Sequence, residues 1–121
     1  RPVILYHRKG AKRDDLPAHV ESVAIDIEDK GLDLVAVMAD LHKRSYYHVM
    51  VEAGAQLFSS LHKAAIIDEL IWLRAPHRLE RGVFAWDFDE TMDFSAPNAY
   101  ISQYEMALGA DRLTILYPRQ G

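Results

Sequence analysis

Tyr47-His48-Val49-Met50-Val51-Glu52-Ala53-Gly54-Ala55-Gln56-Leu57 reads as a strand, a break and the opening of a helix. Val49 and Val51 are β-branched and Met50 is apolar, which suits a strand over Tyr47–Glu52. Gly54 interrupts it. From Ala55 to Ala65 the apolar residues Leu57, Phe58, Leu61 and Ala65 recur at helical spacing and define an inner face. Glu69–Ala75 is again strand-like and is closed by Pro76. A strand, a helix and a second strand make a βαβ unit, whose crossover rule predicts parallel strands joined by a right-handed connection. In open α/β sheets ligands gather at the carboxyl ends of such strands, so chemistry is expected at Val51 to Ala55. Gly54 has no Cβ to hold a ligand away from the backbone. The first amides of the following helix favour an anion and suit the pyrophosphate of a dinucleotide. Glu52 can accept hydrogen bonds from sugar or pyrimidine groups. A lone glycine at such a junction is more often structural than ligand-binding, so both readings stay open on these residues alone.

Upstream, Val3–Tyr6 is a short, wholly apolar run, the pattern of a buried strand. Val20–Ile27 alternates as a second strand, followed by the turn cluster Glu28-Asp29-Lys30-Gly31. Asp33 is placed to cap a helix, with Leu32 stapling onto Val37. Leu34, Val37, Met38 and Leu41 then form its apolar stripe, and Lys43 and Arg44 complement the dipole at its end. Downstream, His77–Asn98 is polar and aromatic with weak periodicity. Tyr100–Leu108 and Arg112–Tyr117 flank Gly109-Ala110-Asp111, a hairpin signal. The expected fold is one α/β domain with a mixed, mainly parallel sheet, flanking helices and a C-terminal antiparallel hairpin.

The bulk numbers narrow the function. The chain has 121 residues, enough for one core. Its net charge is −4 with both signs mixed along the chain, so the basic stripe that nucleic-acid binding needs is missing. The one basic cluster, Arg8, Lys9, Lys12 and Arg13, runs straight into Asp14 and Asp15 and reads as a solvated turn. With no cysteine there are no thiol nucleophiles, disulfides or thiolate metal sites, which suits a cytoplasmic protein. No apolar run is long enough for a membrane helix. Arg1-Pro2 leads directly into an apolar run, so the N-terminus is expected to have been cut from something longer.

From Val20 to Pro76 the order of elements and the local wording resemble the reductase domain of the bifunctional riboflavin-biosynthesis deaminase/reductase. The resemblance is carried by Gly31-Leu-Asp-Leu-Val35, the Val51-Glu-Ala-Gly-Ala55 turn, Ile67-Asp-Glu-Leu70 and the strand end Leu73-Arg-Ala-Pro76. The Gly109-Ala-Asp111 turn and the closing Leu116-Tyr117 strand are also similar. The resemblance implies a dihydrofolate-reductase-like fold. It implies an NADPH-dependent pyrimidine reductase of riboflavin biosynthesis, acting on 5-amino-6-(5-phosphoribosylamino)uracil and turning its ribosyl part into a ribityl chain. It implies that Gly54, Ala55, Gln56 and Leu57, with Phe58, Ser59 and Ser60, line the cofactor phosphates. It implies that Glu52 contacts the substrate, a phosphoribosylamino-pyrimidine. No residue is assigned to the chemical step. Two departures stand out. His77-Arg-Leu-Glu-Arg-Gly82 replaces the family's glycine-rich loop, and the family's N-terminal strands have no counterpart here, so the fragment alone is expected to lack full activity. The zinc-deaminase signature, His-x-Glu with paired cysteines, is absent.

Three rival readings carry less. Asp87-Phe-Asp89-Glu-Thr91 fits the Asp-x-Asp-x-Thr pattern of haloacid-dehalogenase-type phosphatases, but no lysine follows it, and an acidic surface loop is the simpler account. His42, His48, His62 and His77 fall on different elements without metal-ligand spacing, so no metal is expected. Trp72 reads as sheet packing and Trp86 as a possible pocket wall. A non-catalytic assembly module is the other class of function. Cutting a domain at Val3 would leave sheet edges and apolar surface open, and a two-fold homodimer is the common way to cover them.

Overall fold

The structure is a computed structural model that describes residues 1–11, 14–28, 31–83, 85 and 100–119. The chain divides into two compact units, Arg1–Glu52 and Ala53–Gly121.

In the first unit, β1 (Val3–Arg8) pairs in parallel with β2 (Val20–Ile25), from Val3 opposite Val20 to Arg8 opposite Ile25. The strand expected over Val20–Ile27 breaks at Asp26. Ile27–Glu28 (β3) then turns back on Gly31–Leu32 (β4) as a minimal antiparallel pair. Helix α1 (Leu34–Lys43) starts where the capping residue places it: Asp33 Oδ1 accepts from the Ala36 amide at 3.0 Å. Val37, central to the expected stripe, is buried, as is Ile25 of β2. β1 differs from the wholly buried strand that its apolar run suggests. Ile4 and Tyr6 are half-buried while Val3 and Leu5 are exposed. Strand side chains alternate between faces, and Tyr6, on the half-buried side, bonds to Asp40 of α1.

The second unit begins with α2 (Ala55–Lys63), followed by β5 (Leu70–Arg74), β6 (Tyr100–Leu108) and β7 (Asp111–Pro118). The three strands form an antiparallel sheet in the order β5-β7-β6. The expected hairpin is present, closed by Gly109 at φ 62°, a left-handed conformation glycine adopts without a steric penalty. Its register shifts once, between Ser102 and Tyr104. Among the described residues of this unit, Leu61, Tyr100 and Leu116 are the buried apolar ones, and Ser59 and Thr114 are buried as well. The inner face of α2 is therefore rotated from the expected one. Leu61 is buried, but Leu57 is exposed, and Ala65 lies past the helix end at φ 54°.

The class read from the sequence, mixed α/β with flanking helices and a C-terminal antiparallel hairpin, stands, but the sheet expected to be mainly parallel is parallel only at β1–β2 among the described strands. The βαβ assignment does not stand. The parallel pair is β1–β2, whereas β5 runs antiparallel to β7. Residues 46–54 belong to no strand or helix, and Tyr47, Val49, Met50 and Val51 are all exposed. β-propensity describes how a side chain fits a pleated, partly covered surface. It supplies no partner for the backbone, and this run has none of the ladder pairings that define the other strands.

Candidate functional site

The two helices begin in opposite ways. At α1 the Asp33 carboxylate occupies the amino end, satisfying one free amide and bringing a negative charge that would repel an anionic ligand. At α2 the N-cap is Gly54, which has no side chain to do either. Its backbone is extended, at φ −77° and ψ 179°, and the first intrahelical bond runs from the Phe58 amide to the Gly54 carbonyl at 3.0 Å. The amides of Ala55, Gln56 and Leu57 precede that bond and point out of the helix end. A Cβ built on Gly54 would meet nothing within 4 Å. No packing inside the chain therefore demands glycine here, and open space lies where a ligand would approach. Gln56, Leu57 and Ser60 are exposed, and Ala55 is half-buried. Such an end has the donors and the positive dipole that a phosphate group needs.

Of the later residues expected at this site, Ser60 is exposed, whereas Phe58 and Ser59 make contacts within the second unit. Ser59 is buried, and its hydroxyl donates to the Ala55 carbonyl at 2.7 Å, a bond within the helix. Phe58 stacks on His62, with ring centroids 6.5 Å apart. His62 Nδ1 lies 3.2 Å from the Tyr100 hydroxyl, which donates to it when the ring is neutral at that nitrogen. Burial pushes the Tyr100 hydroxyl pKa up, which favours its role as donor. These contacts fasten α2 to β6. Glu52, the expected substrate ligand, is exposed and closes the first unit two residues before Gly54.

A polar network in the first unit escaped the sequence reading. Arg44, expected only to complement the α1 dipole, donates from Nε to Asp40 Oδ2 at 2.7 Å and grips both Glu21 oxygens at 2.6 and 2.8 Å. Tyr6 donates to the same Asp40 oxygen at 2.7 Å. The Tyr6 hydrogen bond, reinforced by Arg44, holds the Asp40 carboxyl below the usual range, and Arg44 does the same for Glu21. Burial and Asp40 together push Tyr6 up to about 12. The i,i+4 spacing of Asp40 and Arg44 was a visible signal; Glu21 was not, because it lies on another element.

Of the rival sites, Asp87–Thr91 and Trp86 lie outside the described residues. Among the described residues no three His, Cys, Asp or Glu side chains gather as metal ligands would. His42 instead meets the Tyr47 ring edge-on at 5.2 Å. No described helix is long and apolar enough to cross a membrane.

Comparison with known proteins supplies the family. The model of the RibD C-terminal domain matches residues 2–79, well over half of the chain and including the whole Glu52–Ser60 stretch. The chain belongs to the RibD C-terminal domain family. Among curated proteins it is similar to the riboflavin biosynthesis protein RibD of Buchnera aphidicola subsp. Baizongia pistaciae, with 35% identity over 60 residues, which is 50% of this chain and 16% of that protein. Solved structures share the RibD-type fold. A Thermotoga maritima diaminohydroxyphosphoribosylaminopyrimidine deaminase/5-amino-6-(5-phosphoribosylamino)uracil reductase superposes with a TM-score of 0.74 at 19% identity, over 98% of this chain and 31% of that one. Acinetobacter baumannii RibD gives 0.64 at 20%, over 96% and 37%. A putative riboflavin biosynthesis protein from Shewanella sp. PV-4 gives 0.69 at 16%, over 99% and 62%. These neighbours place the chain in the dihydrofolate-reductase-like class of mixed α/β folds. The chain thus spans about a sixth of its curated relative and about a third of two of these solved chains.

Proposed function

We propose that a protein carrying this chain is an NADPH-dependent reductase of riboflavin biosynthesis, in the cytoplasm. It turns the ribosyl group of 5-amino-6-(5-phosphoribosylamino)uracil into a ribityl chain. The observation that carries this reading is the uncapped, glycine-led start of α2 inside the stretch matched by the family. In this reading both units belong to one reductase domain, and the protein works as a homodimer.

The residues fit a dinucleotide. The amides of Ala55, Gln56 and Leu57 hold a phosphate without a charged side chain, and Gly54 lets it come close to the backbone. Ser60 is exposed and supplies a further hydroxyl donor, while Phe58 and Ser59 set the pitch and seating of the helix from within. Glu52 accepts from the hydroxyl and amine donors of the phosphoribosylamino-pyrimidine and so orients it. NADPH, when bound, supplies the hydride. The protein's part is to place that donor and the sugar carbon in register and to keep water out.

The experiment is a pair of titrations on the intact reductase that contains this chain, NADPH against NADH, followed by turnover with the phosphoribosylamino-pyrimidine. Saturable NADPH binding is expected. In Glu52→Gln, NADPH binding should persist while the substrate KM rises about tenfold or more, the loss expected when a charge-assisted hydrogen bond is weakened. A reductase that binds neither nucleotide would remove the proposal.

A further inference from the structure

The end of the three-stranded sheet where β5 finishes carries two arginines side by side. Arg74 of β5 pairs directly with Arg112 of β7, and both are exposed. Directly opposed residues of antiparallel strands project to the same side with Cβ atoms about 5 Å apart, and like charges so placed repel. Glu105 of β6 lies 3.5 Å from Arg112, with both side chains more than half exposed, a loose and solvated contact. Among the described residues no carboxylate pairs with Arg74. Arg78 and Arg81 follow in the exposed stretch after Pro76, with Glu80 between them. In a chain of net charge −4 this is a local excess of positive charge.

The two arginines share a face with α2. Arg112, Thr114 and Leu116 alternate along β7 onto one side, and Tyr100, opposite Pro118, lies on that side too. His62, in the last turn of α2, meets Tyr100. The carboxyl end of α2 therefore sits over the end of the sheet where β5 begins, since Leu70 pairs with Leu116. Six residues join α2 to β5. A connection that short turns the chain back, so helix and strand run in opposite directions. The amino end of α2, with Gly54 and the amides behind it, is thereby directed toward the arginine end.

We propose that Arg74 and Arg112 form an anion subsite for a phosphate monoester dianion carried by a ligand of the reductase. Each guanidinium presents a fork of donors, and a dianion between them turns mutual repulsion into shared attraction. A carboxylate satisfies one fork, as Glu105 does for Arg112, and leaves the other unanswered. Two groups in the proposed reaction have the required chemistry, the 2′-phosphate of NADPH and the phosphate of the phosphoribosylamino-pyrimidine. The identity of the ligand rests on the reductase reading; the anion chemistry rests on the sheet alone.

The test places Arg74→Gln and Arg112→Gln in the intact reductase that contains this chain. It reads the NADPH and NADH dissociation constants and the KM of the substrate with and without its phosphate. If the 2′-phosphate is the anion, each variant weakens NADPH by about tenfold or more and leaves NADH unchanged. If the substrate phosphate is the anion, the KM of the phosphorylated substrate rises by that factor, while the dephosphorylated substrate and both nucleotides are unaffected. Glu105→Gln removes the competing carboxylate and should tighten the same ligand about threefold, a gain that a purely structural arginine pair would not give. Losses shared equally by NADPH and NADH and by both forms of the substrate, or no loss at all, would overturn the subsite. A reductase that binds neither nucleotide nor substrate removes the reductase reading, and the subsite then stands or falls on inorganic phosphate. Titrated into the 121-residue chain at constant ionic strength, phosphate should shift the Arg74 and Arg112 amide NMR signals saturably. No shift, or the same shift with chloride, would leave no subsite.

Discussion

The Tyr6 hydroxyl donates to Asp40 Oδ2 at 2.7 Å, joining β1 to the last turn of α1 across 34 residues of sequence. Arg44 donates to the same oxygen and reaches on to Glu21 of β2. The Asp40 carboxylate therefore ties the helix to β1, and Arg44, held by that carboxylate, ties its end to β2, in a unit where Ile25 and Val37 are the buried apolar residues among those described.

Removing the Tyr6 hydroxyl should show in stability. Tyr6→Phe keeps the ring and loses one hydrogen bond to a charged acceptor, a loss of about 1–2 kcal/mol. Urea unfolding followed by circular dichroism measures it. An unchanged midpoint would mean that the bond is replaced by water without cost.

The same network sets a pH dependence. Asp40 and Glu21 have folded pKa values below their unfolded ones, so their contribution is present above the ordinary carboxylate range and is lost as pH falls through the lowered values. Tyr6 behaves oppositely. Its folded value is raised to about 12, so its contribution is full below its ordinary value near 10 and is lost as pH rises through about 12. Stability should therefore fall at both extremes. In Tyr6→Phe the acid loss should become shallower, because the hydrogen bond from Tyr6 is the largest influence lowering Asp40. Urea midpoints across pH report both limbs.

Both helices end on residues other than glycine in the left-handed region, Ser45 at φ 69° and Ala65 at φ 54°. Each position closes a Schellman-type cap: the Tyr46 amide bonds to the Leu41 carbonyl at 3.0 Å and the Ile66 amide to Leu61 at 3.4 Å. An L-residue there costs about 1–2 kcal/mol, partly offset by the greater unfolded entropy of glycine. Ser45→Gly and Ala65→Gly should each stabilise by about 0.5–1 kcal/mol in thermal unfolding, and Ala65→Val should destabilise.

In the second unit the buried Leu61 is the packing centre of α2. Leu61→Ala should cost about 2–4 kcal/mol through lost burial and a residual cavity. Tyr100→Phe removes the hydroxyl that meets His62 and should cost about 1 kcal/mol. A Tyr100→Phe loss as large as that of Leu61→Ala would show the ranking to be wrong.

What the sequence made legible was local. Asp33 caps because the carboxylate and the amide it serves lie three residues apart, and Gly109 turns because glycine alone is at ease there. The family wording around Val51–Ala55 was also readable. Pairing was not: Tyr47–Glu52 has the residues of a strand, but strand formation depends on neighbours elsewhere in the chain, and the parallel partner of β1 proved to be β2. Two members of the expected inner face of α2 fell away for different reasons: Ala65 lies beyond the helix end at Lys63, and Leu57 is exposed while Ser59 and Leu61 are buried. Arg44 was read from its own helix, which hid its grip on Glu21.

The proposed reductase activity depends on the open end of α2, and Gly54→Asp tests that dependence most directly. The extended backbone at Gly54 accepts any residue, and its surroundings leave room for a Cβ. Aspartate should therefore cap α2 much as Asp33 caps α1, and raise stability by a few tenths of a kcal/mol. The same carboxylate would occupy the phosphate position and repel it, so NADPH affinity in the intact reductase should fall by about tenfold or more. A folded Gly54→Asp protein that binds NADPH as tightly as the parent would contradict the account.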